Sequence, residues 1–327
     1  MKRFLVLLSL IFIIPNLAVA DDLKKKVLTL RDRSEIRNRL LKDRFESVLP
    51  DIMERTGIDM WIIVAREYNE DPVIKTMLPA TWLNARRRTI LVVYNPGSGN
   101  KLETYAIARY DVGEVFKRMW DPEQQPDQYK ALAKLIYDKN PNKIGINQSE
   151  FFAQADGLTA TEYNLLKSSL NRRQLKKVVS AEKLAIGWLE TRSAMEMEYY
   201  PEICNIAHEI IKEGFSSNVI TAGKTTTDDV VWWYRDRIRE LGLITWFHPT
   251  VDLQRSDNIK FDFLSAFSKS KVSNVIQKGD LLHVDFGITY LGLNTDTQQH
   301  AYVLKDGEMN APAELNNALR IGNKLQD

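Results

Sequence analysis

HVDFGITYLGLNTDTQQHAYVL, residues 283–304, holds two apolar runs, and each carries one carboxylate, Asp285 and Asp296. Strand interiors rarely keep Asp. The runs flank Tyr290-Leu291-Gly292, where Gly292 is free to take positive φ, so the segment is predicted to be an antiparallel hairpin. A pairing centre between Tyr290 and Leu291 sets Asp285 directly opposite Asp296. Opposed residues project from one face with Cβ atoms about 4.5–5.5 Å apart. Two carboxylates there repel, and one must hold a proton unless a cation lies between them. One divalent cation removes that cost, and two cations about 3.5–4 Å apart remove it more fully. The alternative is structural: Asp285 ends the first strand as a turn residue, and Asp296 lies exposed on an edge.

The sequence before the hairpin alternates between helix and strand patterns. Residues 23–57 read as a long basic helix stopped by Gly57, with Ile36, Leu40, Leu41, Phe45, Val48 and Leu49 at helical spacing. Met60–Ala65 is a short buried strand. Thr89–Tyr94 and Thr104–Ala108 make a hairpin across GSGNKLE, and Lys143–Asn147 is a further strand. This alternation predicts an α/β domain over residues 21–180, with no phosphate-binding glycine fingerprint. A second domain, 181–327, opens on the apolar stripe Ile203, Ile206, Ala207, Ile210, Ile211 and Phe215. A helix capped near Thr225–Thr227 follows, then strand-like TWFHPTVDLQ at 245–254. The last helix, 312–326, has no stop signal and ends on Asp327, a charge that opposes the helix dipole, so the chain is expected to continue.

Composition excludes some partners. The chain has 327 residues, 44% hydrophobic and 27% charged, with a formal net charge of +2, so nothing calls for nucleic acid or an anionic membrane. Lys2 and Arg3, the apolar run Phe4–Ile14 and Ala18-Val19-Ala20 form a charged, apolar and cleavable leader. Residues 1–20 are therefore expected to be a signal peptide cleaved after Ala20. One cysteine, Cys204, cannot form an internal disulfide, which suits a periplasmic or secreted protein that relies on its core.

KGDLLHVDFGITYLGLNTDTQQHAYVL resembles the Asp-bearing hairpin of the pita-bread metallopeptidases, the group of aminopeptidase P, prolidase and creatinase. The shared pattern is Gly279-Asp280, then Asp285-Phe286-Gly287, then Gly292 and Asp296 eleven residues after the first Asp. ETRSAMEMEYYPEICNIAHEII is similar to the helix that opens their catalytic domain. The resemblance implies an α/β N-terminal domain of the creatinase/prolidase type followed by an incomplete α+β pita-bread domain. It implies two divalent metal ions, Mn first and Co or Zn in its place, with Asp285 chelating one and Asp296 bridging both. It implies a peptide substrate cleaved before proline, and a homodimer. The remaining implied ligands, a His and two Glu, belong to later strands, so this stretch alone is expected to be inactive. Two departures stand out: Phe267 and Ser268 occupy the place of a substrate-binding His, and Thr297-Gln298-Gln299 follows Asp296 where x-Thr-Arg is common. They favour one alternative, an inactive binding protein that keeps the fold; a creatinase-like amidinohydrolase, which shares the fold, is a third possibility.

Several other residues suit either a functional or a structural role. His248 precedes Pro249 on a strand expected to border the site, and is the catalytic candidate for the missing His. His283 shares a face with Asp285, and His283 and Thr297 are candidates to support the ligating carboxylates. His300 is read as structural. His208-Glu209 fails the HExxH zinc pattern because position 212 is Lys. Arg86-Arg87-Arg88 suits a solvated loop or a substrate contact from the first domain.

Overall fold

Met60–Arg66 (β1) is apolar up to its last residue, and a strand of that kind needs cover on both faces. The computed structural model, which describes residues 23–97, 99–255 and 274–326, supplies that cover. The leader at 1–20 and Phe267 and Ser268 lie outside the described residues.

The chain divides into two compact units, Thr29–Tyr200 and Pro201–Asp327 with the first 28 residues. In the first, β1 is joined by Arg88–Tyr94 (β2), Glu103–Ile107 (β3), Lys117–Arg118 (β4), Ile144–Ile146 (β5) and Val178–Ser180 (β6). The strand order is β4-β3-β2-β1-β5-β6. The β1, β2 and β3 pairings are antiparallel, and those to β4, β5 and β6 are parallel. The alternation of β1 divides two cores. Trp61, Ile63 and Ala65 pack with Phe45, Ile52 and Trp188 on one face. Met60, Ile62 and Val64 pack with Leu132, Leu135 and Ile136 on the other. The first core draws on helices Leu30–Ser47 (α1), Leu49–Thr56 (α2) and Pro72–Met77 (α3). The second uses Gln128–Lys139 (α4) and Ala160–Ser169 (α5), and Arg172–Leu175 (α6) follows.

Two expectations are corrected here. The long basic helix is broken after Ser47, because Pro50 lies in the first turn of α2 and has no N–H to continue the ladder. Gly57 does cap α2, at φ 64°. The division between units falls at Tyr200/Pro201 and not at 180/181. The physical reason is Glu182–Glu190 (α7), which places Leu184, Ala185 and Trp188 in the core of the first unit. Helix Ala194–Gly214 (α8) contains the division.

In the second unit, Thr250–Gln254 (β7), Leu281–Phe286 (β8) and Thr297–Tyr302 (β11) form an antiparallel sheet ordered β11-β8-β7. The short strands Thr289–Tyr290 (β9) and Leu293–Asn294 (β10) extend the hairpin to its turn. Buried residues of α8 (Ile203, Ile206, Ile210) and of Thr227–Glu240 (α9: Val230, Tyr234, Ile238) supply apolar cover along with Val251, Leu282, Val284 and Phe286. Tyr234 and Phe286 meet at 5.2 Å between ring centroids. A last helix, Ala313–Gln326 (α10), follows.

Candidate active site

Strand β8 is central, so each of its residues has a neighbour on both sides. Asp285 pairs with Thr250 on β7 and Gln298 on β11. His283 pairs with Asp252 and His300. Paired residues project from the same face, so Thr250, Asp252, His283, Asp285, Gln298 and His300 share one side of the sheet. The other side carries Val251, Leu282, Val284 and Phe286, which are buried. One face is thus core and the other a polar platform with Asp285 in its middle row.

The hairpin forms, but its register differs from the expected one. Leu293 pairs with Tyr290 and Thr297 with Phe286, so the turn is the two residues Leu291-Gly292, at φ 57° and 86°. Positive φ at both central positions is the type I′ geometry that matches strand twist. Asp285 therefore faces Gln298, and Asp296 sits just before β11, exposed. Thr295 N–H donates to Ile288 O at 2.9 Å, which carries the same register up to the loop. Asp296 keeps the parity of Gln298, so the two aspartates are diagonal on one face, a relation of about 7–8 Å between neighbours.

That register also corrects Thr297. Its partner is Phe286, so it belongs to the core side and does not support Asp285. His283 stays on the polar side, but its Nε2 lies 3.1 Å from Gln298 Oε1. The carboxamide opposite Asp285 is thus the group it holds. His300 is more involved than expected, its ring 4.9 Å from that of His283. Burial, and then the His283 charge, lower the His300 pKa from its ordinary value.

His248 is not on a strand. Pro249 offers no N–H, and β7 begins only at Thr250. His248 is exposed, with Nδ1 3.0 Å from Arg235 Nη1 and its ring 5.4 Å from that of Trp232. A guanidinium only donates, so Nδ1 accepts and the proton resides on Nε2. His248 precedes Thr250, the neighbour of Asp285, by two residues, so it enters at the right end of the sheet.

Two positions hold the platform in place. Asp280 is fully buried, and Arg255 grips it in bidentate fashion, Nε to Oδ1 and Nη2 to Oδ2, both at 2.7 Å. Gly287 has no room for a side chain, since a Cβ there would meet Phe247 and the Thr295 carbonyl, each at 2.5 Å. Thr245 Oγ1 donates to Gly287 O at 2.9 Å, and Trp246 Nε1 to Thr295 O at 2.8 Å.

Carboxylate oxygens with imidazole nitrogen nearby suit Mn, Co or Zn in kind. In number they fall short: among the described residues no three His, Cys, Asp or Glu side chains converge as a metal site. No described helix is long and apolar enough to cross a membrane.

The chain thus joins an α/β unit to an antiparallel sheet that carries an acidic hairpin. No family model and no curated protein matches this chain by sequence. Solved structures do match by fold. The Xaa-Pro dipeptidase from Bacillus anthracis aligns at TM-score 0.54 and 16% identity, over 90% of this chain and 69% of that one. The X-Pro aminopeptidase from Thermotoga maritima aligns at 0.57 and 18%, over 84% and 69%. Aminopeptidase P from E. coli aligns at 0.56 and 12%, over 82% and 62%. The chain has the fold of these peptidases.

Proposed function

We propose that this chain is an exported metallopeptidase of the Xaa-Pro type, hydrolysing the peptide bond before proline. The observation that supports it most is the place of Asp285, at the centre of a polar sheet face whose reverse is core. Asp285 and Asp296 would hold the divalent metal pair, Mn or else Co or Zn, with further donors from later strands as the resemblance implies. The pair, when bound, supplies an activated water and polarises the scissile carbonyl. His283 orients the Gln298 carboxamide beside Asp285. His248, held through Nδ1, offers its Nε2 proton to a substrate carbonyl. Residues 1–20 support export to the periplasm or the medium, and the peptidase likeness supports a homodimer.

A second reading is a binding protein that keeps the fold without the chemistry. Gln298 directly opposite Asp285, where a second carboxylate was expected, favours it. The full-length protein with Mn should be assayed on Xaa-Pro dipeptides, longer Xaa-Pro peptides and creatine, beside Asp285→Asn. The peptidase reading expects Xaa-Pro cleavage that falls about 100-fold or more in the variant. Creatine turnover would reassign the chain to amidinohydrolysis, and peptide binding without turnover to the binding module. Amino-terminal sequencing of the exported form should begin at Asp21, and sedimentation reads the oligomer.

A further inference from the structure

A cleft of about 1160 Å³ opens on the first unit, lined by Arg66, Arg86, Arg87, Arg88 and Arg109. These residues come from three stretches of the sequence, at 66, 86–88 and 109. They meet because β2 runs antiparallel to both β1 and β3, which brings the end of β1, the start of β2 and the exit of β3 to one edge. Two carboxylates answer the five guanidinium groups. Glu162 is buried, with Arg88 Nε at 2.7 Å and Arg66 Nε at 3.4 Å, and it accepts from the Tyr129 hydroxyl at 2.7 Å. Glu67 lies 3.8 Å from Arg87. Arg86 and Arg109 are backed by rings: Arg86 stands 4.8 Å from Trp82 and 5.7 Å from Tyr110, and Arg109 stands 6.0 Å from Trp120. Even with Glu70, which accepts from the Tyr68 and Ala85 N–H groups, five guanidinium groups outnumber three carboxylates here, on a chain whose net charge is only +2.

The backbone of the cleft is held under strain. Among the described residues four non-glycines have positive φ. Asn140 caps α4 and Leu291 makes the hairpin turn. The other two, Tyr68 at 69° and Arg87 at 54°, both line this cleft. Non-glycine residues rarely hold such backbone, and strain of this kind collects at ligand sites. Thr89 Oγ1 donates to Arg86 O and Gln128 Nε2 to Arg88 O, both at 3.0 Å, so the arginine run is fixed in place.

We propose that this cleft binds an acidic peptide segment. Arg86 and Arg109 take its carboxylates, and the chain between them lies on Tyr68 and Tyr110, which are 79% and 52% exposed. Glu162 already shows the mode, a carboxylate between two guanidinium groups. The arginines line one cleft together with two tyrosines, which suits a short peptide segment better than a nucleic acid backbone. The cleft lies wholly in the first unit, so its test is independent of the metal reading.

Fluorescence anisotropy with the full-length protein tests it, using labelled hexaglutamate, hexaglutamine and hexathymidylate. Hexaglutamate should bind about tenfold or more tighter than either control and weaken as salt rises. Arg86→Gln with Arg109→Gln should weaken hexaglutamate about tenfold, and Arg109→Gln alone about threefold. Lys75→Gln, exposed and outside the lining, should leave it unchanged. The proposal is overturned if hexaglutamine or hexathymidylate binds as well as hexaglutamate. It is equally overturned if the arginine variants, with unchanged unfolding midpoints, bind as the parent does.

Discussion

Asp280 and Asp285 are five residues apart, and their carboxylates sit in opposite settings, one sealed and one on the polar face. Asp280 is sealed from solvent and spends both oxygens on Arg255, with a third bond from Gln277 N–H at 2.7 Å. Removing one partner of such a pair leaves the other charge stranded. Asp280→Asn should lower stability by about 2–3 kcal/mol, read from urea unfolding. Asp285 is half-buried on the polar face, so Asp285→Asn should cost less than about 1 kcal/mol. The same variant should lose Mn binding in a calorimetric titration, whereas Asp280→Asn that still folds should keep it. Sequence marked Asp285 as unusual in a strand, and Asp280 only as part of a Gly-Asp pair ahead of it. It could not assign their roles, because the arginine that neutralises Asp280 lies twenty-five residues away.

At the scale of the element, the hairpin was readable and its register was not. Gly292 announced the turn, but the other left-handed position is Leu291, where Asn or Asp is the usual signal. Leu tolerates that backbone because its side chain is buried, and burial contributes more than the local strain of about 1–2 kcal/mol. Shifting the pairing centre moved Asp296 away from Asp285, brought Gln298 in and set His300 beside His283. Asp252 reaches the same face from β7, through a pairing that the hairpin does not set. Cross-linking reads the register directly. In a Cys204→Ser background, Asp285→Cys with Gln298→Cys should oxidise readily, since directly opposed Cβ atoms lie about 4.5–5.5 Å apart. Asp285→Cys with Asp296→Cys should not, and the reverse outcome would restore opposed aspartates. Helix α3 carries a second test at this scale. Asp71 caps it, accepting from Val73 N–H at 2.7 Å and Ile74 N–H at 3.2 Å. Burial, only partly offset by Asn147 and those N–H groups, raises its pKa above the ordinary 3.8. A raised carboxyl pKa favours the protonated form in the folded state. That contribution is full below pH 3.8 and is lost as pH rises through the folded value. Asp71→Asn should therefore gain on the parent between about pH 4 and about pH 7, while Asp71→Ala should lose about 1 kcal/mol of capping at either.

For the molecule as a whole, apolar runs between turn residues were enough to reveal an α/β unit ahead of an acidic hairpin. The arginine cleft escaped notice because only sheet order gathers its members. The boundary between units escaped for a related reason: α7 follows the last strand of the first unit, so pattern alone assigns it to the next. Its packing decides otherwise. Trp188 is fully buried, 5.2 Å from Phe45, with the Arg44 guanidinium 4.2 Å from its ring. Arg44 Nη1 also donates to Thr191 O at 2.7 Å and Glu196 Oε2 at 2.6 Å, and Nη2 to Trp188 O. A chain stopped at Ser180 would lose all of these and strand a buried arginine. Removal of Trp188 alone is worth about 3–5 kcal/mol, most of the stability of an ordinary domain. A fragment spanning Thr29–Tyr200 should therefore unfold cooperatively in urea with a native near-ultraviolet tryptophan signal. A fragment spanning Thr29–Ser180 should show neither. Equal behaviour of the two would mean that α7 and the start of α8 contribute nothing to the first core, and the unit would end at β6 after all.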